Sequence, residues 1–483
     1  MSLRRLPLLA LCVVVLAAIA VTTRTTVAPT PAVFSNVAAP WMPAVPLPGG
    51  LTSTWFCPGV PAAGVEGAGG SVRVFNTGEN AMAGRITVLG VEGDPLTQPV
   101  SVPAYGMQEF DLDELVDSPY AAGFVEIDGG GGLVEQVAVD PEGESISACA
   151  NGTSAEWYVA TGDTLDNSVD QIVLSNPSED AAVVNVTVST SAGIRRPQAL
   201  QNFPVPPGSV RLIDVNAVRA DESEVGVSVV ASRGDVVMGR AQRYDTDART
   251  GYAMTLAAPS LRDQWWFAYG VVDDDVSVSY SVYNPNDADV EVIPFLGGFP
   301  GSEGFVPPDP FVVPDGEVVV FNLDDVAGLP DGVVSAVFAT SDPKVGIVVE
   351  RIVTRTIDGV RTTSVAVGAT GRPADGYVAN TWYVGTGVAE PTENALAVYN
   401  ITAADAVVTV QAITPDGGVV TVDSLAAVEL PSSRAVSIDL TDEAVLNAPL
   451  IIRSTSPVFV ERVVPREPGA LGRVAVWAVP ANA

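Results

Sequence analysis

Residues 172–188 run Ile172-Val173-Leu174-Ser175-Asn176-Pro177-Ser178-Glu179-Asp180-Ala181-Ala182-Val183-Val184-Asn185-Val186-Thr187-Val188. An apolar run ends in Asn-Pro, a polar turn follows, and Val then alternates with polar residues. This is the pattern of two half-buried strands joined by a turn. Apolar strands ending in Asn recur at Val72–Asn76, Tyr280–Asn284 and Leu396–Asn400.

An aromatic pair opens each recurrence: Trp55-Phe56, Trp157-Tyr158, Trp265-Trp266 and Trp382-Tyr383, spaced by 102, 108 and 117 residues. Further along, a Pro stands eight residues before a polar residue, in Pro103 and Asp111, Pro206 and Asp214, Pro314 and Asn322, Pro431 and Asp439. A late apolar strand ends in Arg at Arg240, Arg351 and Arg462, where the first recurrence has Leu133-Val134-Glu135-Gln136. The expected organisation is four tandem copies, residues 51–153, 154–261, 262–373 and 374–483. Each holds six to eight short strands cut by Gly, Pro, Asn and Asp turns, which predicts an all-β chain of immunoglobulin-like antiparallel β-sandwiches. A β-propeller is the alternative, and it would require each copy to split into two similar blades.

Arg4 and Arg5 precede an apolar run from Leu6 to Val21, with Ala18-Ile19-Ala20 near its end. Residues 1–22 therefore read as a signal peptide or signal anchor, and 16 apolar residues are short for a bilayer span of ~20. Cys12 lies inside that run after the bulky Leu11, which argues against a lipoprotein. Residues 23–50 form a Pro/Ala/Thr-rich linker without acidic residues, the composition of an extended spacer. The expected location is extracytoplasmic, secreted or on the cell surface, with membrane contact only through an uncleaved N-terminal segment. Cys57 and Cys149 are the pair left outside the signal, and a disulfide between them is expected.

With 24 basic against 57 acidic residues the net charge is −33, which repels nucleic acid. The chain has no His, so His-dependent triads, His-liganded zinc and imidazole acid–base chemistry are excluded. No P-loop, dinucleotide fingerprint or nucleophile elbow occurs, and no metal or cofactor site is expected. Asp111, Asp214, Asn322 and Asp439 read as helix caps. Arg240, Arg351 and Arg462 read as structural partners of a carboxylate, the capping Asp of the same copy being the candidate. Asp273-Asp274-Asp275 lacks the spacing of a calcium loop. The Gly/Pro-rich insertion 297–310 is a place for binding, or for none. Trp265 and Trp266 point to opposite faces of a strand, which makes one of them a candidate ligand contact.

The Asn-terminated strand, the Pro before a polar residue and the late Glu-Arg strand resemble repeats of an actinobacterial family of secreted proteins of unknown function. The resemblance runs from about Leu51 onward and implies export and a cell-envelope setting, without an activity. The expected role is a non-enzymatic envelope scaffold, a short rod of sandwiches contacting wall polymer or an envelope protein. The alternative is a carbohydrate-binding or carbohydrate-processing protein.

Overall fold

A computed structural model describes residues 42–481, apart from 47–48, 50, 65–66, 192, 358, 371–378, 386–394, 415, 447 and 465–473. The expected signal and most of the spacer lie outside the described residues. The described chain belongs to one compact unit, Ala39–Ala483, and is almost wholly antiparallel sheet. Among the described residues no helix is long and apolar enough to cross a membrane, and no sheet closes into a barrel.

In the first stretch of chain, Thr52–Ala148, one sheet has the order Thr52–Phe56, Tyr120–Asp128, Met82–Gly90, Leu96–Val102. The facing sheet has the order Met107–Asp111, Gly69–Asn76, Gly132–Asp140, Gly143–Ala148. Leaving aside the two-residue strand Val60–Pro61, the strands of the two sheets run 1-6-3-4 and 5-2-7-8. The stretches Glu156–Leu256, with its three-residue strand Phe203–Val205 set aside, and Gln264–Val367 repeat both orders. In the last stretch the sixth and seventh strands are one continuous strand, Leu450–Val464, which fuses the two halves into a nine-stranded sheet. The result is a series of sandwich-like layers. An immunoglobulin sandwich also pairs second with fifth and third with sixth strands, but it places the first beside the second. Here the first strand lies beside the sixth, and the seventh beside the second.

Sequence alternation explains which faces are buried. Ala182–Thr190 alternates buried and half-buried residues, with Val184, Val186 and Val188 in the core. The seventh strands are different: Gly132–Asp140 and Val237–Asp245 are buried at nearly every position. A strand covered on both faces needs a second layer beyond its own sandwich, and the neighbouring stretch supplies it. One apolar cluster accordingly joins Trp55 and Ile86 of the first stretch to Val173 and Tyr252 of the second. Another joins Tyr158 to the third and last stretches.

The recurring Asn acts as a clamp. Asn76, Asn176, Asn284 and Asn400 are at most 3% exposed. In each, Nδ2 donates to the carbonyl four residues on, at 2.7 to 2.9 Å, and to a carbonyl just before the fifth strand. Oδ1 accepts the backbone N–H two residues on, at 2.9 to 3.0 Å. Only an amide combines the donor and the acceptor needed here. The opening Trp residues are wholly buried, and the indoles of Trp157 and Trp265 donate to Val236 and Ile347 carbonyls at 2.8 Å.

Candidate functional site: the seams between stretches

The polar residues that recur late in each stretch converge on the contacts between stretches. The seventh strand presents a Glu one residue before the Arg. Glu350 reaches back to the end of the second stretch's opening strand and accepts Ala160 N at 2.7 Å, Thr161 N at 2.6 Å and the Thr161 hydroxyl at 2.8 Å. Glu461 does the same one stretch later, accepting Ala268 N at 2.7 Å and Tyr269 N at 3.1 Å, and it lies 2.7 Å from Arg351. Glu135 in the first stretch accepts the Gly385 amide of the last and faces Arg462. Tyr383 of the last stretch packs on the first stretch's core and hydrogen-bonds Thr77. The last stretch therefore meets the first, which replaces the rod with a circuit of contacts. Val45 N also donates to Pro480 O at 2.8 Å.

The contact between the first and second stretches is built differently. Its donor position is Pro58, which has no N–H, and its acceptor position is Gly239, which has no side chain; a Cβ on Gly239 would meet Pro58 Cγ at 2.8 Å. The next donor, Gly59 N, is taken up by Gln136 Oε1 at 3.2 Å, so the missing acceptor leaves no N–H unsatisfied. The disulfide Cys57–Cys149 lies beside this seam, with Cα atoms 4.4 Å apart.

Burial dominates the electrostatics. It pushes the Glu135 carboxyl up to about 7 against the pull of Arg73, Arg462 and the Gly385 amide. Burial also lowers Arg462 to about 10, with Glu135 opposing. Asp170 is pushed up to about 6 although Arg240 grips it in a bidentate pair at 2.9 and 3.0 Å.

The three Arg residues are thus placed against Asp170, Glu461 and Glu135, and none against the Asp eight residues after its Pro. Those positions occupy one register: Ser71 pairs with Asp111, Gln171 with Asp214, Ser279 with Asn322 and Ala395 with Asp439. Their capping role holds at Asp214 and needs correction at the others. Asp111 and Asn322 stand at the start of a helical turn without a side-chain cap bond. Asp214 accepts Ala217 N at 3.3 Å, and the turn after Asp439 is capped by Asp442, which accepts Ala444 N at 2.9 Å. Each of these residues ends a strand and is exposed, and of the four only Asp214 turns its carboxylate onto the turn that follows.

The two adjacent Trp residues are also corrected. Trp265 is fully buried, and Trp266 packs on Tyr399 and Phe459 of the last stretch, with centroids 6.3 and 5.8 Å away. The second face of that strand meets another stretch instead of solvent. The 297–310 insertion joins the same contact: Gly298 O accepts Ala435 N at 2.9 Å, and Glu303 lies 3.3 Å from Arg434. Asp273-Asp274-Asp275 forms a turn, with Asp275 N donating to Asp273 Oδ1 at 2.9 Å, and among the described residues no group of His, Cys, Asp and Glu could hold a metal ion.

The closing strands Gly143–Ala148, Thr250–Leu256, Val360–Val367 and Val474–Trp477 each touch the next, and the last touches the first. They surround an apolar cavity of about 80 Å³, bordered also by Met42. Sequence reading missed the seam glutamates. The signal was present in Glu350-Arg351 and Glu461-Arg462, but their backbone partners lie about 190 residues away.

These features define an all-β protein of stacked antiparallel sheets whose recurring charged residues join one stretch to another. The chain belongs to DUF5719, a family of unknown function, whose sequence model matches residues 134–381. None of the curated proteins compared matches the chain.

Proposed function

We propose that this protein is a non-enzymatic scaffold of the cell envelope, built from four copies of one immunoglobulin-related sandwich and exported by its N-terminal segment. The observation that carries the reading is the fate of the recurring charged residues. Glu350 and Glu461 are wholly buried and hold backbone amides of the preceding stretch. Such carboxylates lock orientation and have no access to a substrate. A body held at every seam presents its loop ends in a fixed geometry, which suits an interaction platform. The disulfide fits an oxidising compartment, and the uncharged Pro-rich segment before the sheets fits a spacer.

The test is fractionation of cells producing the full chain, followed by thiol labelling and crosslinking in intact cells. Recovery in the envelope fraction with Cys57 and Cys149 unreactive, crosslinked to a reproducible envelope component, is expected. Recovery in the cytoplasm with two reactive thiols would overturn the envelope reading. Turnover of a glycan by the purified chain would overturn the non-enzymatic one.

A further inference from the structure

The seam without a carboxylate clamp has a cleft beside it. Its volume is about 290 Å³, close to the lower end of small-molecule pockets at ~300 Å³. Pro61, Ala62 and Pro119 from the first stretch face Val169, Leu212 and Ala241 from the second. The polar groups on this apolar frame are few. The Tyr120 hydroxyl donates to Gln171 Oε1 at 3.1 Å and is hydrogen-bonded to Tyr252, which leaves the Gln171 amide nitrogen as a donor. Asp140 and Arg243 line the same cleft, and the Tyr120 hydroxyl feels both charges. Asp140 accepts Glu142 N at 3.0 Å. The guanidinium of the half-buried Arg243 has no hydrogen-bond or ion-pair partner among the described residues.

A guanidinium only donates and a carboxylate only accepts. A hydroxyl does both, so a ring carrying several hydroxyls satisfies both groups at once. The C–H faces of such a ring suit walls of Pro, Ala, Val and Leu. An anion would be repelled by Asp140 and a cation by Arg243, and the volume admits one ring. We propose that this cleft binds one neutral sugar unit, free or at the end of a glycan, with Arg243 and Asp140 as its polar contacts. The scaffold role does not depend on this site, since the clamped seams lie elsewhere.

The experiment titrates the full chain with neutral methyl hexosides and pentosides, and with oligosaccharides of the same sugars, by calorimetry and saturation-transfer NMR. Saturable millimolar binding of at least one glycoside is expected. A longer glycan binding much more tightly than its methyl glycoside identifies a chain end as the source. Arg243→Ala removes a charged hydrogen bond and should weaken binding at least about tenfold. Ala68→Trp, at the half-exposed rim, should abolish it. The Arg243 guanidinium holds no partner among the described residues, so its variant should keep the parent's thermal midpoint even if Ala68→Trp misfolds. No saturable binding by any probe up to roughly 50 mM, or parent-like affinity in Arg243→Ala, overturns the proposal.

Discussion

At the scale of single residues, the strongest demands come from buried polar groups that must find complementary partners. Asn284→Asp keeps the size but replaces the Nδ2 donor with an oxygen facing the Val313 and Pro314 carbonyls. A loss of about 3 kcal/mol is expected, read as a lower urea midpoint with an unchanged slope. The Asp170–Arg240 pair obeys a related rule. Asp170→Ala strands a buried guanidinium and should cost about 3–5 kcal/mol, whereas Asp170→Leu with Arg240→Met should recover most of that loss. Equal losses in both variants would show that packing, and not the uncompensated charge, sets the cost. Titration gives a third expectation. Glu135 sits at about 7 in the fold against an ordinary 4.5, and Asp163 and Asp170 sit at about 6 against 3.8. The native state then binds more protons than the unfolded state, so stability falls as pH rises. The Glu135 share is full below pH 4.5 and is lost through pH 7, on the order of 3 kcal/mol. The chain should resist urea better at pH 5 than at pH 8, and Glu135→Gln should flatten that slope.

At the scale of elements, the seams turn on small residues. Gly385 has no room for a Cβ, because Glu135 and Phe75 of the first stretch stand against it. Gly385→Ala should therefore loosen the contact between last and first stretches and cost about 1–3 kcal/mol. Faster hydrogen exchange confined to Thr381–Gly385 and Gly132–Gln136 is the expected signature; exchange spread evenly over the chain would place the effect elsewhere. Strand existence and order of appearance were legible, because Val alternation and the Asn and Pro punctuation are local. Capping at Asp111 and Asn322 was misread because an Asp before a short turn looks the same whether or not its carboxylate turns inward.

At the scale of the whole molecule, the disulfide closes a separation of 92 residues beside the seam that lacks a Glu clamp. In the chain-entropy model such a crosslink is worth about 4–5 kcal/mol, so Cys57→Ser should lower the thermal midpoint by several degrees. A midpoint equal to the parent's would mean that the core of the first stretch holds its two ends together without the crosslink. The contact between last and first stretches also predicts a radius of gyration in solution smaller than a rod of separate sandwiches would give.

The sequence by itself determined the class of strand, the repeated register and the Cys57–Cys149 pairing, since each follows from local alternation, fixed spacing or an even count. It also excluded imidazole chemistry through the absence of His. Tertiary structure alone decided the partners of Arg351, Glu350 and Glu461, the packing of Trp266 on the last stretch and the meeting of Gly385 with Glu135. A charged or aromatic side chain on the outer face of a sheet reads as exposed until another layer covers it. Which layer does so depends on how sheets stack over separations of a hundred residues or more, and no local pattern records that.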